Sequence, residues 1–69
     1  MDRYKNAANS GIQYYEILEN GISIKFKIKG WYTYTTDVNS QFVIDRMKSL
    51  AIQGKELNTF INQNNPKYL

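Results

Sequence analysis

Apolar and polar side chains alternate without interruption from Ile22 to Lys29, and this segment constrains the fold more than any other part of the chain. Even-numbered positions are isoleucine or phenylalanine, and odd-numbered positions are serine or lysine. Since successive side chains of a β-strand point to opposite faces of a sheet, the segment predicts a strand with one buried and one solvent-facing side. The chain must therefore supply neighbouring strands and a layer that covers the apolar side.

The segments on either side of this strand also favour β-structure. Ile12–Leu18 precedes it, and the intervening Asn20-Gly21 pair is typical of a two-residue type I′ hairpin turn. Trp31–Thr36 follows it, after a break at Gly30, and is rich in aromatic and β-branched residues. These segments predict a three-stranded antiparallel meander.

The Asn20-Gly21 turn also predicts a register in which Glu16 lies opposite Lys25, an attractive pair of charges. The side chains that alternate from this pair divide into a buried set and an open set. The buried set is Tyr15, Ile17, Ile24, Phe26 and Ile28, and the open set is Tyr14, Glu16, Lys25, Lys27 and Lys29.

The second loop, after the lysine-rich strand, leaves two alternatives for Tyr32 and Tyr34, because a shift of one residue exchanges the faces of a strand. A loop of two or four residues places both tyrosines with the open set, whereas a three-residue loop places them with the buried set. We favour the three-residue loop, since the open face then carries Thr33 and Thr35, which suit solvent better than two tyrosines do.

After Asp37 the apolar residues recur at helical spacing. Either Asn39 or Ser40 can cap a first helix, and Gly54 is suited to end it. A second, short helix follows and ends before Pro66. The residues expected to face the core are Val43, Ile44, Met47, Leu50 and Ala51 in the first helix, and Leu57, Phe60 and Ile61 in the second.

Together these segments predict an α+β fold in the order β-β-β-α-α, a three-stranded antiparallel meander sheet with one face covered by two C-terminal helices. Residues 11–64 form the single domain, residues 1–10 are expected to be a flexible N-terminal tail, and residues 65–69 a C-terminal tail. A chain of 69 residues has room for one core and an exposed recognition face, but little for a deep catalytic cleft.

The residue types point to binding and away from catalysis. The chain has no cysteine and no histidine, which removes disulfides, thiolate ligands and the commonest general acid/base. Its six Asp and Glu residues do not cluster, and Asp37 and Asp45 are interpreted as capping or surface charges. We therefore expect no catalytic residue, no metal and no cofactor. The polar start and the lack of a long apolar run predict a cytoplasmic protein without a membrane segment.

The open face is the predicted binding surface. Lys25, Lys27 and Lys29 combine with Tyr14 and Trp31 to join cations to aromatic rings, as on sheets that bind RNA or other single-stranded nucleic acid. The net charge of +3 is compatible with such a partner. The simpler alternative is a solvated strand face whose lysines oppose edge-to-edge aggregation.

Phe42 and Ile52 fall outside the apolar stripe of the first helix. They either pack against the second helix or the tail, or form a contact patch for a protein partner. The latter alternative suggests a protein-interaction module, such as a phage or mobile-element protein that modulates a host protein. The sequence leaves the oligomeric state open.

Several short motifs occur in an order that resembles the KTSC domain. They are Ser10-Gly11-Ile12, Ile22-x-Ile24-x-Phe26, Tyr32-x-Tyr34 and Gly54-x-x-Leu57-Asn58-x-x-Ile61, and together they cover most of the chain. Leu57 stands where the family has an aromatic residue, and Val38-Asn39 where it has Val-Pro. The KTSC domain is named for the C-terminus of some lysyl-tRNA synthetases and also occurs as free-standing bacterial and phage proteins. The resemblance implies a small domain for which RNA binding has been suggested, and it implies no catalytic residue.

Overall fold

The computed structural model describes residues 1–69 as an α+β fold with one antiparallel sheet followed by two helices. The elements are β1 (Asp2–Arg3), a 3-10 turn (Ala7–Asn9), β2 (Ile12–Leu18), β3 (Gly21–Phe26), β4 (Gly30–Thr35), α1 (Gln41–Gln53) and α2 (Leu57–Asn64). The sheet order is β1-β2-β3-β4. The predicted α+β class and C-terminal helices are confirmed, but the sheet has four strands where the sequence predicted three.

The additional strand lies in residues 1–10, which were expected to form a flexible tail. Asp2 and Arg3 pair with Tyr15 and Tyr14 of β2. The next residue, Tyr4, is only 1% exposed and belongs to the core. The tail prediction is therefore wrong for this segment. The segment is mostly polar and its strand has only two residues, so neither the strand nor the buried Tyr4 produces a recognisable pattern in the sequence.

The C-terminal segment, residues 65–69, lies along the other edge of the sheet. The Lys67 backbone N–H donates to the Asn39 side-chain Oδ1 at 2.8 Å, and Asn39 Nδ2 donates to the Lys67 carbonyl at 2.7 Å. The Leu69 N–H donates to the Thr33 carbonyl of β4 at 2.9 Å. This segment is thus held by three backbone groups, two that bond to the Asn39 side chain after β4 and one that bonds to β4 itself.

The β2–β3 turn lies one residue earlier than predicted. Leu18 pairs with Gly21, so the loop is Glu19-Asn20, and Glu16 lies opposite Ser23. Gly21 does not have the positive φ of a type I′ turn. A side chain there would collide with the backbone of β4, which explains the glycine by close strand approach. The register differs from the prediction by two residues, so the predicted faces are retained.

A β-bulge in β2, between Ile12 and Tyr14, moves Ile12 to the buried face. There it lies opposite Phe26 and is fully buried. Farther along β2, Ile17 was predicted to be buried and is partly exposed. The reason is that β1 pairs with only two residues of β2, which leaves the end of β2 as a sheet edge.

The β3–β4 loop has three residues and confirms the favoured alternative. Tyr32 pairs with Ile24 and Tyr34 with Ile22, so both tyrosines lie on the buried face. Gly30 follows the loop with a φ of 92°, in the left-handed region. Thr35, expected to face solvent, is buried, since the chain after β4 turns back and Asn39 Nδ2 donates to its carbonyl at 3.1 Å.

Because of this loop, three predictions about the end of the lysine-rich strand are wrong. Strand β3 ends at Phe26, so Lys27, Ile28 and Lys29 lie in the loop and no longer alternate between faces. Ile28, predicted to be buried, is 98% exposed. Lys27 and Lys29 therefore leave the row of lysines that the sequence placed on the open face.

The helices cover the apolar face of the sheet. Ser40 caps α1, since its Oγ accepts from the Val43 N–H at 3.2 Å, and Gly54 ends it with a φ of 78°. Neither helix combines the length and the hydropathy that a membrane-spanning helix requires. The core consists of Tyr4, Ala7, Ile12, Ile22, Ile24, Tyr34, Ile44, Met47, Leu50, Ala51 and Leu57.

Candidate nucleic-acid interface

The open face of the sheet carries one row of side chains that crosses all four strands. Arg3 pairs with Tyr14, Tyr14 with Lys25, and Lys25 with Trp31. Cations and aromatic rings therefore alternate from edge to edge. Because neighbouring strands lie about 4.8 Å apart, the row spans about 14 Å. We call these four residues the cross-strand row.

The cross-strand row is accessible because the helices pack on the opposite face of the sheet. Trp31 is 44% exposed, Arg3 is exposed, and Tyr14 and Lys25 are half-buried. The aliphatic stem of a half-buried lysine packs along the sheet while its charged end reaches solvent. The row thus offers two positive charges and two rings to a partner.

A second row, next to the first, limits how basic this face is. Glu16 pairs with Ser23, and Ser23 with Thr33. The Ser23 and Thr33 hydroxyls hydrogen-bond to each other across the strands at 2.8 Å. Glu16 is exposed and brings one negative charge beside the row. An anionic chain bound here would therefore follow the cross-strand row and not the whole face.

Of the five predicted binding residues, the structure brings Tyr14, Lys25 and Trp31 together and separates Lys27 and Lys29 from them. The two separated lysines lie on the β3–β4 loop, at the rim of a pocket of about 890 Å³ on the helix-covered side of the sheet. The pocket lies between this loop, α2 and the C-terminal segment. The residues of the predicted basic surface are therefore divided between two candidate sites.

Aromatic rings form the floor of this pocket. Phe26 and Tyr32 pack edge to face with their centroids 5.5 Å apart, and Tyr32 and Tyr68 do so at 4.5 Å. Tyr34 packs against Tyr68 at 6.2 Å. Lys29 Nζ lies 6.0 Å from the centroid of the Phe26 ring. Strands β3 and β4 and the C-terminal segment are thus joined through ring contacts.

Burial raises the pKa of two tyrosines on this side of the sheet. Burial, and then the neighbouring phenols of Tyr32 and Tyr68, raise the pKa of Tyr34 to about 12. Burial and the nearby Asp2 carboxylate also raise the pKa of Tyr15. Both phenols are therefore neutral at physiological pH and act as hydrogen-bonding or packing groups. No group of three side chains that could hold a metal ion is present.

Phe42 and Ile52, the predicted protein-contact residues, are both largely exposed on α1. Of the two alternatives, this exposure disfavours packing against α2 or a tail. They are ten positions apart in the sequence, which places them about 15 Å apart along the helix axis. Their role in a protein contact stays a prediction.

Sequence reasoning missed three residues of these sites. Arg3 was overlooked because a two-residue strand has no periodicity, and only its neighbour Tyr4 hinted at an ordered segment. Lys67 and Tyr68 were assigned to a tail because they follow the helix-ending Pro66. Their positions depend on Asn39, 28 residues earlier, which pairs with Lys67.

Comparison of the chain with models of protein families, with curated proteins and with solved structures finds no match. The resemblance to the KTSC domain therefore stays a prediction from its motifs.

Proposed function

We propose that this protein is a small non-enzymatic domain that binds RNA or another single-stranded nucleic acid through the cross-strand row. The alternation of Arg3, Tyr14, Lys25 and Trp31 across four strands carries the proposal. Lysine and arginine neutralise backbone phosphates, and exposed rings stack on bases, so both parts of a single strand find a counterpart. The resemblance to a domain attached to tRNA synthetases supports the same class of partner by association.

The spacing of the two rings favours a single strand over a duplex. Tyr14 and Trp31 lie two strands apart, which is about 10 Å. Bases stacked in a duplex lie about 3.4 Å apart and hide their faces from a protein. Each ring therefore accepts a base that has separated from its neighbours, as occurs in single-stranded loops and ends.

Titration with short single-stranded RNA and DNA, followed by Trp31 fluorescence at two salt concentrations, tests this proposal. The fluorescence should change on binding because Trp31 belongs to the site. Two cations in the row predict a slope of log K against log salt of about −1.4, at about −0.7 for each neutralised phosphate. No fluorescence change at low salt, where electrostatic attraction is strongest, would contradict the proposal.

Two charge reversals locate the site. Lys25→Glu should weaken oligonucleotide binding at least ~10-fold, since it replaces a phosphate contact by a repulsion. Lys55→Glu is the matched control, because it changes net charge equally at an exposed position between the helices. Equal losses in the two variants would mean that only net charge matters, and the cross-strand row would then not be the site.

A further inference from the structure

We propose that the pocket between the β3–β4 loop, α2 and the C-terminal segment binds a nucleoside monophosphate, a ligand with one aromatic base and one phosphate. The pocket lies on the opposite side of the sheet from the cross-strand row, since it is lined by Phe26, Tyr32 and Tyr34 of the helix-covered face. It is therefore a second site, independent of the proposed function.

The pocket has the size and construction of a small-molecule site. Its volume of about 890 Å³ lies within the usual range for ligand pockets, about 300–1,000 Å³. Besides residues of the sheet, the loop, the second helix and the C-terminal segment line it, so a ligand would contact these separate parts of the chain together. Such pockets combine apolar walls with a few convergent polar groups.

The charge of the lining selects an anion. Lys27, Lys29 and Lys67 are its charged residues, and no aspartate or glutamate lines the pocket. Two of the lysines come from the loop and one from the C-terminal segment. An ammonium group binds phosphate as a compact point charge, and several of them around one anion add to its binding.

The floor of the pocket selects an aromatic group. The rings of Phe26, Tyr32 and Tyr68 already pack against one another edge to face. Tyr68 remains 57% exposed after these contacts, so part of its ring is open to a ligand. A planar base packs on such rings by offset stacking or edge-to-face contact.

Amide groups on one wall complement the polar edge of a base. Asn58 and Asn62 are four residues apart on α2 and share one side of the helix, and Asn65 follows the helix end. Each primary amide both donates and accepts, as the edges of nucleobases do. Asn64 differs, since its amide donates to the Phe60 carbonyl at 2.9 Å and does not line the pocket.

Calorimetric titration of the whole chain with adenosine 5′-monophosphate tests the proposal, with adenosine and inorganic phosphate as the two partial ligands. The monophosphate should bind at least ~10-fold more tightly than either part, because rings and lysines act together. In NMR spectra the backbone amides of Ile61, Asn62 and Tyr68 should shift on addition of the nucleotide. Equal affinity for the nucleotide and for phosphate alone would overturn the proposal, and so would no binding at millimolar nucleotide.

Charge-neutralising variants separate this site from the cross-strand row. Lys29→Gln with Lys67→Gln should weaken nucleotide binding at least ~10-fold and leave oligonucleotide binding unchanged. Lys25→Glu should weaken oligonucleotide binding and leave nucleotide binding unchanged. Lys5→Gln with Lys55→Gln is the matched control, because it also removes two exposed positive charges and neither residue lines the pocket. Circular dichroism establishes that each variant is folded. Nucleotide affinity that survives the double change in a folded protein would overturn the assignment of this pocket.

Discussion

The two ends of the chain resemble each other in sequence and differ in what they contribute to the fold. Each is a short polar segment that places one tyrosine on the helix side of the sheet. Tyr4 is 1% exposed, and its hydroxyl accepts the Leu57 N–H at the start of α2 at 3.1 Å. Tyr68 is 57% exposed and contacts other rings at the pocket. The first end is part of the core, and the second is part of the floor of a candidate binding site.

The largest expected effect is that of Tyr4→Ala on stability. Removing a fully buried aromatic side chain costs about 3–5 kcal/mol, and a chain of this size has about 3–10 kcal/mol in total. The variant should be marginally folded or unfolded in urea denaturation experiments. Tyr68→Ala is the matched change at the other end, and it should cost about 1 kcal/mol because half of that side chain is already in solvent. Similar losses in both variants would contradict the difference between the two ends.

Tyr4→Phe isolates the hydroxyl and should have the next largest effect. The ring and its packing remain, but the Leu57 N–H at the first turn of α2 loses its acceptor. An unpaired buried donor costs about 1–3 kcal/mol. The loss is measured from the urea midpoint at an unchanged slope. If Tyr4→Phe is as stable as the wild type, the hydroxyl does not cap α2.

These ends also show which parts of the structure a single sequence can predict. The alternation from Ile22 to Phe26 requires a half-buried strand, so the sheet and its covered face followed from local pattern alone. The predicted turn lies one residue later than the observed one, so Glu16 was predicted as the partner of Lys25, whereas the partner in the structure is Tyr14. The predicted faces are nevertheless correct, because the two registers differ by two residues. Local pattern failed at Ile28, where the need to close the β3–β4 loop overrode the alternation.

The candidate site was predicted only in part, for a related reason. Lys25 was correctly placed because its strand alternates clearly, Tyr14 because the register differs from the predicted one by an even number of residues, and Trp31 because the favoured three-residue loop is present. Arg3 belongs to the cross-strand row and Tyr68 to the pocket, and each is held there by contacts with residues distant in sequence. Such contacts have no period and no local signature, so they become visible only when the strand order is known.

The smallest expected effect is the contribution of Tyr68 to a loss of stability at alkaline pH, which acts through the buried Tyr34. Because the pKa of Tyr34 is about 12 in the folded chain and 10.0 in the unfolded chain, the unfolded state releases its proton first as the pH rises. The contribution of Tyr34 to the free energy of unfolding is complete below pH 10 and is lost between pH 10 and about 12. The loss approaches about 1 kcal/mol for each pH unit in that window.

Urea denaturation below and above pH 10 measures this loss. Tyr34→Phe should be less sensitive to pH in that window than the wild type, because it has no phenol to titrate. Tyr68→Phe should reduce the sensitivity by a smaller amount, since burial and Tyr32 raise the pKa of Tyr34 more than Tyr68 does. An unchanged pH dependence in Tyr68→Phe would mean that the C-terminal segment leaves the ring cluster in solution. Tyr68 would then not be a permanent part of the pocket floor, and the two ends would differ more than the structure shows.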